Sequence, residues 1–261
     1  MLLSKYCASG NDFLILHGFK ADNRGELALS LCDRFYGIGA DGLVVLLPPP
    51  AGNEEVAYQW EFYNSDGSVA NMCGNASRAV SLYAYHNKIA KSKHSFLSKA
   101  GVISTEITEI IGPKEAYIQS KLGPYSMLGN YVEGRKGNLY ECDLVLMAVP
   151  HLVCFAPSLR DYQEIVADTD FLANLRQKYD ANISIAFQGM DGTYYATYER
   201  GVEAITKACG TGASAVYVAA GDLSSERTLI PPSKEILKIS HKDGAIYCSG
   251  LAKKICDCVV D

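Results

Sequence analysis

Two stretches of the sequence begin in the same way, and each continues into a segment with helical spacing and little charge. The first is MCGNASRAVSLYAYHNKIA, where Cys73 precedes Gly74, and the second is ACGTGASAVYVAAG, where Cys209 precedes Gly210. A helix that is apolar on most of its faces has to be enclosed. Because the two cysteines lie about half the chain apart, the sequence predicts two similar domains, each with one such helix at its centre.

The rest of the sequence supplies strands for two sheets. Short apolar or alternating runs, bounded by Gly, Asn, Asp and Pro, are typical of strands; they are FLILHGF, GLVVLL, VAYQWEFY, LVLMAV, ISIAF and TYYATYE. Two more helices are predicted, one over 26–36 that ends at Gly37 and one over 168–179 that begins at an acidic cap. We therefore predict an α+β fold of two pseudo-symmetric domains, each a mostly antiparallel rolled sheet around a central hydrophobic helix. The predicted domains are 1–113 with the tail 252–261, and 114–251.

Composition narrows the class of partner. The chain has 261 residues, 48% of them hydrophobic, and a net charge of -5. A nucleic-acid-binding surface would need a basic face, and no apolar run reaches the length that spans a bilayer. The start, MLLSKYCASGNDF, lacks the pattern of a signal peptide. We expect a cytoplasmic protein that binds a small molecule and neither nucleic acid nor a membrane.

Nine cysteines are many for such a chain. There is no C-x-x-C pair, and Cys256 and Cys258 are too close in sequence for a usual structural zinc pair, so no metal site is predicted. Without a secretion signal a disulfide framework is not expected. Seven cysteines are interpreted as buried free thiols: Cys7, Cys32, Cys142, Cys154, Cys248, Cys256 and Cys258.

The segment GIGADG at 37–42 has the spacing G-x-G-x-x-G. Dinucleotide binding needs a strand before the glycines and a helix after them. Here a predicted helix precedes the glycines and a predicted strand follows them. The segment is therefore interpreted as a helix-to-strand turn.

A cysteine at a helix start has a physical reason to be reactive. Unpaired N–H groups and the positive end of the helix dipole stabilise a thiolate there, so its pKa should fall from about 8.5 to about 7–8. The same N–H groups bind a carboxylate. If two such helix starts faced one α-carbon, one thiolate would remove its proton while the opposite thiol supplied another. This chemistry requires neither pyridoxal phosphate nor a metal.

Three other readings remain open from the residues alone. Both cysteines could be buried thiols at glycine turns. Cys209 could be the nucleophile of a hydrolase or acyltransferase with His151 as its base, but the second Cys-Gly helix would then be unexplained. The chain could also bind an amino acid without turning it over.

At these residues the chain resembles the diaminopimelate epimerase family. The segment YNSDGSVANMCGNASR (63–78) is similar to the family's first cysteine motif and YERGVEAITKACGTGASA (198–215) to its second. Supporting similarities are KYCASGNDF, DRFYGIGADGLVVL, VPHLVCF, ANISIAF and SGLA, which follow the family's order along nearly the whole chain.

The resemblance implies roles for matching residues. Cys73 and Cys209 would be the two catalytic bases. The implied substrate-binding residues are Asn11, Asn64, Gly74, Asn75, Asn182, Glu199, Arg200, Gly210 and Thr211, with Arg200 on the distal carboxylate. His151 and Glu199 would tune or orient the cysteines. The implied activity is interconversion of LL- and meso-diaminopimelate, for lysine and peptidoglycan precursors, by a homodimeric isomerase without a cofactor.

Three departures from the family pattern concern the substrate. Val149 replaces an asparagine that would contact the distal end, Ala76 replaces a glycine, and the second motif has one extra residue between Glu199 and Cys209. We hypothesise that the loss of the amide at Val149 relaxes distal recognition. A racemase of another acidic amino acid, such as glutamate, is therefore the alternative function.

Overall fold

The computed structural model describes residues 1–53 and 55–260. It divides the chain into two compact units, one of Met1–Lys121 with the C-terminal segment from Gly250, the other of Leu122–Ser249. The strands are β1 (Leu2–Ala8), β2 (Asn11–His17), β3 (Gly42–Leu47), β4 (Gln59–Asn64), β5 (Lys93–Ser98), β6 (Gly101–Gly112), β7 (Glu115–Gly123), β8 (Ser126–Arg135), β9 (Asn138–Met147), β10 (Val149–Phe155), β11 (Asn182–Gln188), β12 (Thr193–Glu199), β13 (Ala204–Ile205), β14 (Arg227–Ile230), β15 (Leu237–Lys242) and β16 (Ala245–Val259). The helices are α1 (Gly25–Cys32), α2 (Gly74–His86), α3 (Leu159–Val166), α4 (Thr169–Tyr179) and α5 (Gly210–Ala219).

In the first unit the strands follow one another as β1-β2-β3-β4-β5-β6-β7-β16, and β16 also pairs antiparallel with β1. The sheet therefore closes on itself. This unit continues past residue 113, the predicted end of the first domain, because β7 pairs antiparallel with β6. In the second unit the order is β16-β15-β14-β12-β11-β10-β9-β8, with β13 paired to β12. The long strand β16 contributes its first residues to the second unit and the rest to the first.

Each unit repeats the same arrangement of crossovers. Two parallel strand pairs interrupt an otherwise antiparallel sheet: β2/β3 and β4/β5 in the first unit, β10/β11 and β12/β14 in the second. The first pair is connected through a helix that packs in a smaller core cluster, α1 or α3 with α4. The second pair is connected through the segment that contains the central helix, α2 or α5. The predicted pseudo-symmetry of two rolled sheets around central helices is present.

The central helices are buried, as their largely uncharged sequences predict. In α2 every residue from Asn75 to Ala84 is buried, and in α5 so is every residue from Gly212 to Val218. Their small residues share core clusters with apolar strand residues: Ala79 with Phe96 in one cluster, and Ala215 with Ile239 in the other. Burial on all sides explains why neither helix carries the polar face of a surface helix.

One predicted helix ends early. The pattern over 26–36 predicted a helix as far as Tyr36 with Gly37 as its cap, but α1 ends at Cys32. Asp33 has an extended backbone, and its carboxylate accepts the N–H groups of Phe35 and Tyr36, 2.7 Å from each. That local turn competes with the helix, which is common for aspartate. The segment 37–42 lies between α1 and β3, as the helix-to-strand interpretation predicts.

Candidate active site

Cys73 is the N-cap of α2. Its backbone is extended (φ -145°), and its Sγ accepts a hydrogen bond from the N–H of Ala76 at 3.5 Å. The thiol group thus lies beside the first N–H groups of a buried helix, the position that stabilises a thiolate. Gly74 follows with open space where a Cβ would be, because no heavy atom lies within 4 Å of that point. The side chain of Cys73 is half-buried.

Cys209 caps α5 in the same geometry. Its backbone is also extended (φ -120°), and its Sγ accepts the N–H of Gly212 at 3.4 Å. At Gly210 a Cβ would meet only Cys248 Sγ, at an ordinary contact distance of 3.9 Å. Tyr195 donates its hydroxyl hydrogen to the carbonyl oxygen of Cys209 at 3.0 Å and so helps to fix the backbone of the cap. Each unit therefore carries a cysteine at the start of its central helix, followed by a glycine without a close neighbour.

The two thiols differ in environment. Burial raises the pKa of Cys209 well above its usual value, and the nearby Glu199 carboxylate raises it further. The sequence-based expectation of a pKa near 7–8 is therefore wrong for Cys209. Complete desolvation disfavours the charged form more than one helix end favours it. Burial and Glu199 therefore favour the neutral thiol form of Cys209.

The hydrogen bonds around His151 determine which of its ring nitrogens carries the proton. The backbone N–H of Arg200 can only donate, and it bonds Asn182 Oδ1 at 2.8 Å. The amide nitrogen of Asn182 therefore faces His151 Nε2, at 3.3 Å. Burial lowers the pKa of His151 to about 3, so the ring is neutral and carries its one proton on Nδ1, which donates to Ser184 Oγ at 3.2 Å.

Thr211 connects this histidine to the cysteine. Its Oγ1 lies 3.0 Å from His151 Nε2 and 3.4 Å from Cys209 Sγ. The single lone pair of Nε2 faces both the Asn182 amide and the Thr211 hydroxyl, and either Thr211 Oγ1 or Cys209 Sγ can be the donor of the contact between them. Thr211 therefore lies between His151 and Cys209, whereas a cysteine hydrolase pairs its histidine directly with the cysteine.

Glu199 and Arg200 lie where β12 turns into β13. Glu199 pairs with Ala204, so the hairpin loop is 200–203, and Glu203 has the left-handed backbone (φ 56°) that closes it. Thr206 donates a hydrogen bond to Glu199 Oε1 at 2.6 Å. This bond holds in place the carboxylate that raises the pKa of Cys209.

The guanidinium of Arg200 is already ion-paired. Its Nη1 lies 3.1 Å from Asp180 Oδ2 and 3.1 Å from the Asp180 carbonyl oxygen. Asp180 is exposed and in a left-handed conformation at the end of α4.

Of the remaining predicted residues, Asn75, Asn11 and Asn64 lie in the first unit and Val149 lies in the second. Asn75 is the second residue of α2 and is buried, and its amide donates to Asn11 Oδ1 at 2.7 Å. Asn11 begins β2. Asn64 ends β4 and is exposed, with its amide donating to Ser68 Oγ at 2.9 Å. Val149 begins β10 and is half-buried.

Two groups of residues around the site were not predicted from the sequence. In the first group, Arg78 bonds Asn75 and Asp41 bonds Asn11. In the second, Ser184 bonds His151, and its Oγ lies 3.1 Å from Thr197 Oγ1. The Arg in the motif C-G-N-x-x-R and the Asp of GIGADG were the available signals. Ser184 and Thr197 lie on strands and gave none.

The interpretation of seven cysteines as buried free thiols is wrong for several of them. Cys142 and Cys154 form a disulfide between directly opposed residues of β9 and β10. Adjacent strands bring them together, which the spacing along the chain does not reveal. Cys256 is exposed, while Cys7 and Cys258 are half-buried. Cys32 and Cys248 are buried free thiols, as predicted.

Among the described residues there is no helix with the length and apolar character needed to cross a membrane.

Comparison with known proteins assigns the chain to a family. A diaminopimelate epimerase family model matches residues 3–128. A diaminopimelate epimerase of Helicobacter pylori is 41% identical, with 98% of this chain and 94% of that protein covered. One from a Nitratiruptor species is 38% identical, with 98% and 96% covered.

Solved structures agree on the fold. A probable proline racemase from Agrobacterium radiobacter has a TM-score of 0.74 at 12% identity. The match covers 100% of this chain and 92% of the racemase chain. A hydroxyproline epimerase from Agrobacterium vitis has a TM-score of 0.69 at 12% identity, covering 99% and 91%. These similarities confirm the two-domain α+β fold. With identities of about 40% over nearly its whole length, this chain belongs to the diaminopimelate epimerase family.

Proposed function

We propose that this chain interconverts LL- and meso-diaminopimelate by proton transfer between two cysteines, without a cofactor. The observation that carries the proposal is the shared cap geometry. Cys73 and Cys209 each begin the central helix of their unit, and each sulfur accepts the N–H three residues ahead. Family membership supplies the substrate class, since the relatives are diaminopimelate epimerases.

In the proposed reaction Cys73 is the base and Cys209 is the acid. A thiolate at Cys73 takes the α-proton, and the electron pair of the broken C–H bond moves onto the substrate carboxylate. Cys209 then gives its S–H proton to the opposite face of the same carbon. Cys73 ends as the thiol and Cys209 as the thiolate, so the reverse reaction uses the same groups with exchanged roles. The raised pKa of Cys209 supports its start as the proton donor.

The N–H groups after each cysteine suit the α-carboxylate. Gly74 and Asn75 begin α2, and Gly210 and Thr211 begin α5, so these four positions place their backbone N–H groups at the positive ends of two helix dipoles. Electrostatic stabilisation of charge on the carboxylate in the transition state is the largest contribution to be expected from them. The polar groups at the other end of the substrate are assigned to Asn11, Asn64, Asn182 and Arg200.

Val149 favours a second candidate substrate. Its side chain can neither donate nor accept a hydrogen bond at a position where the family has an asparagine amide. We infer weaker selection at the distal end, which would admit a shorter acidic amino acid such as glutamate. Racemisation of glutamate by the same two cysteines is therefore the alternative function.

The remaining proposals concern location and assembly. The reaction supplies precursors of lysine and peptidoglycan, so we infer a cytoplasmic enzyme, and we expect a homodimer. The proposed structural domains are the two compact units. Light scattering coupled to gel filtration tests the dimer, since a mass of about one chain would contradict it.

Chiral analysis in deuterated water tests the activity. LL-diaminopimelate and L-glutamate are incubated separately with the protein, with no pyridoxal phosphate added. We expect deuterated meso-diaminopimelate from the first. Cys73→Ala and Cys209→Ala should abolish its formation, while Cys256→Ser, which changes an exposed thiol, should not. Inversion of glutamate alone would favour the alternative, and inversion of neither would refute both.

A further inference from the structure

We propose that Arg78 and Asp41 are positioning residues that fix the side-chain orientation of Asn75 and Asn11 through one directed chain of hydrogen bonds. Its consequence for turnover rests on the proposed function, in which Asn11 contacts the substrate. The chain of bonds itself lies entirely within the first unit.

The chain starts at Arg78, which is fully buried in α2. Its Nη2 lies 2.7 Å from Asn75 Oδ1 and 2.8 Å from Ser9 Oγ. A guanidinium can only donate hydrogen bonds, so the end of the Asn75 amide that faces it has to be the oxygen. The amide nitrogen then points the other way, and it donates to Asn11 Oδ1 at 2.7 Å.

The chain ends at Asp41, whose carboxylate can only accept. With its oxygen toward Asn75, Asn11 turns its nitrogen toward Asp41 Oδ2, at 2.9 Å. The direction of every bond is therefore determined from both ends. Rotation of the Asn11 amide by half a turn would place its oxygen against the carboxylate and its nitrogen against the nitrogen of Asn75.

Asp41 is itself held in place. Its Oδ1 accepts from Arg34 Nη2 at 2.7 Å, and its Oδ2 also accepts the backbone N–H of Asp12 at 3.2 Å. Arg34 in turn bonds both oxygens of the Asp12 carboxylate. The acceptor that orients Asn11 is thus part of a charged network at the starts of β2 and β3. This network explains why an aspartate occupies the GIGADG turn, since a neutral apolar residue there would leave the Asn11 amide without its partner.

The orientation matters for recognition because an amide has unlike ends. A carboxylate on the substrate needs N–H donors and an ammonium group needs acceptors. With Arg78 and Asp41 in place, Asn11 offers one defined arrangement of donor and acceptor. Without them it would offer two, and only one would match the substrate.

The test compares Asp41→Ala with Asp41→Asn in the full chain. The asparagine is a matched control because its single oxygen can stay on the side that faces two donors, Asn11 and the Asp12 N–H, at the cost of the Arg34 bond. Two readouts are taken. One is kcat and KM for diaminopimelate. The other is the side-chain amide signal of Asn11 in a nitrogen–proton correlation spectrum, identified by its loss in Asn11→Ala, which needs no turnover.

We expect Asp41→Ala to raise KM by up to about twofold, because an Asn11 amide that populates two orientations equally is competent for binding half of the time, with kcat changed less than KM. The Asn11 amide signal should shift, and Asp41→Asn should restore both readouts to near wild type. Unchanged KM and an unmoved Asn11 signal in Asp41→Ala would overturn the proposal. Absence of turnover in the wild type would refute the proposed function instead, and the amide signal alone would then decide. If Asp41→Ala does not fold, as judged by its melting curve, Asp41→Ser replaces it, since its shorter hydroxyl does not reach Asn11.

Discussion

Gly212 offers a quantitative test of how the second unit is packed around Cys209. It is the third residue of α5, and its N–H donates to the cysteine sulfur. A Cβ at this position would lie 2.3 Å from Thr197 Oγ1 and 3.3 Å from Ser184 Oγ. Thr197 is 1% exposed, so its hydroxyl has no open space to enter. Gly212→Ala therefore has to displace the hydrogen bond that links Ser184 to Thr197, and with it the support of His151.

The expected size comes from three contributions. Overpacking of a buried site costs about 1–3 kcal/mol, and the lost Ser184–Thr197 bond costs about 1 kcal/mol more. Alanine has the better helix propensity and offsets about 1 kcal/mol. The net loss is about 1–3 kcal/mol, or a fall in Tm of about 2–10 °C for a chain of this size.

Thermal denaturation followed by circular dichroism measures this, with Gly210→Ala as the matched control. The control changes the same residue type two positions earlier, where a Cβ would meet only Cys248 Sγ at 3.9 Å. Its Tm should equal or slightly exceed that of the wild type. A Gly212→Ala variant with the same Tm as the Gly210→Ala control would refute this packing around Gly212.

Three further predictions concern charge and redox state. The pKa of His151 is about 3 in the folded protein and about 6.5 when unfolded, so the stability it contributes is present above pH 6.5 and is lost as pH falls toward 3. Urea unfolding at pH 7 and pH 5 should show a smaller loss in His151→Gln than in the wild type, and equal losses would contradict the buried neutral ring. Glu199→Gln should lower the pKa of Cys209, because a carboxylate that raises it is removed; the limb of the pH–rate profile set by Cys209 should move to lower pH, and an unmoved limb would count against the contact. Thiol titration of the denatured, unreduced protein should count seven groups, rising to nine after reduction; nine from the start would show that Cys142 and Cys154 are not bonded.

The sequence predicts the central helices well because the constraint on them is local. A stretch such as ASAVYVAA has no polar face, so as a helix it has to be enclosed by the surrounding strands. The preceding Cys-Gly marks where it begins. The strands GLVVLL and TYYATYE likewise have the bounds of β3 and β12. In these cases composition and spacing within one element decide the outcome.

Other features depend on residues far apart in sequence. The pKa of Cys209 depends on burial and on Glu199, and neither is visible in the helix start itself. The Cys142–Cys154 disulfide depends on the register between β9 and β10. The orientation of Asn11 depends on Asp41 directly and on Arg78 through Asn75, and only the folded first unit brings these residues together. At Asp33 a side chain ends a helix that the apolar spacing continues.

The transfer of a proton between two different cysteines is tested most directly by the early isotope content of both stereoisomers. LL-diaminopimelate is incubated in deuterated water and stopped at a few per cent conversion. Because one group removes the proton and another delivers the deuteron, the meso product should carry deuterium at the inverted carbon while the recovered LL substrate carries almost none. Starting from the meso compound, the LL product should again carry the label. Deuterium entering the recovered substrate as fast as the product, or a product that retains the original proton, would contradict the two-cysteine mechanism.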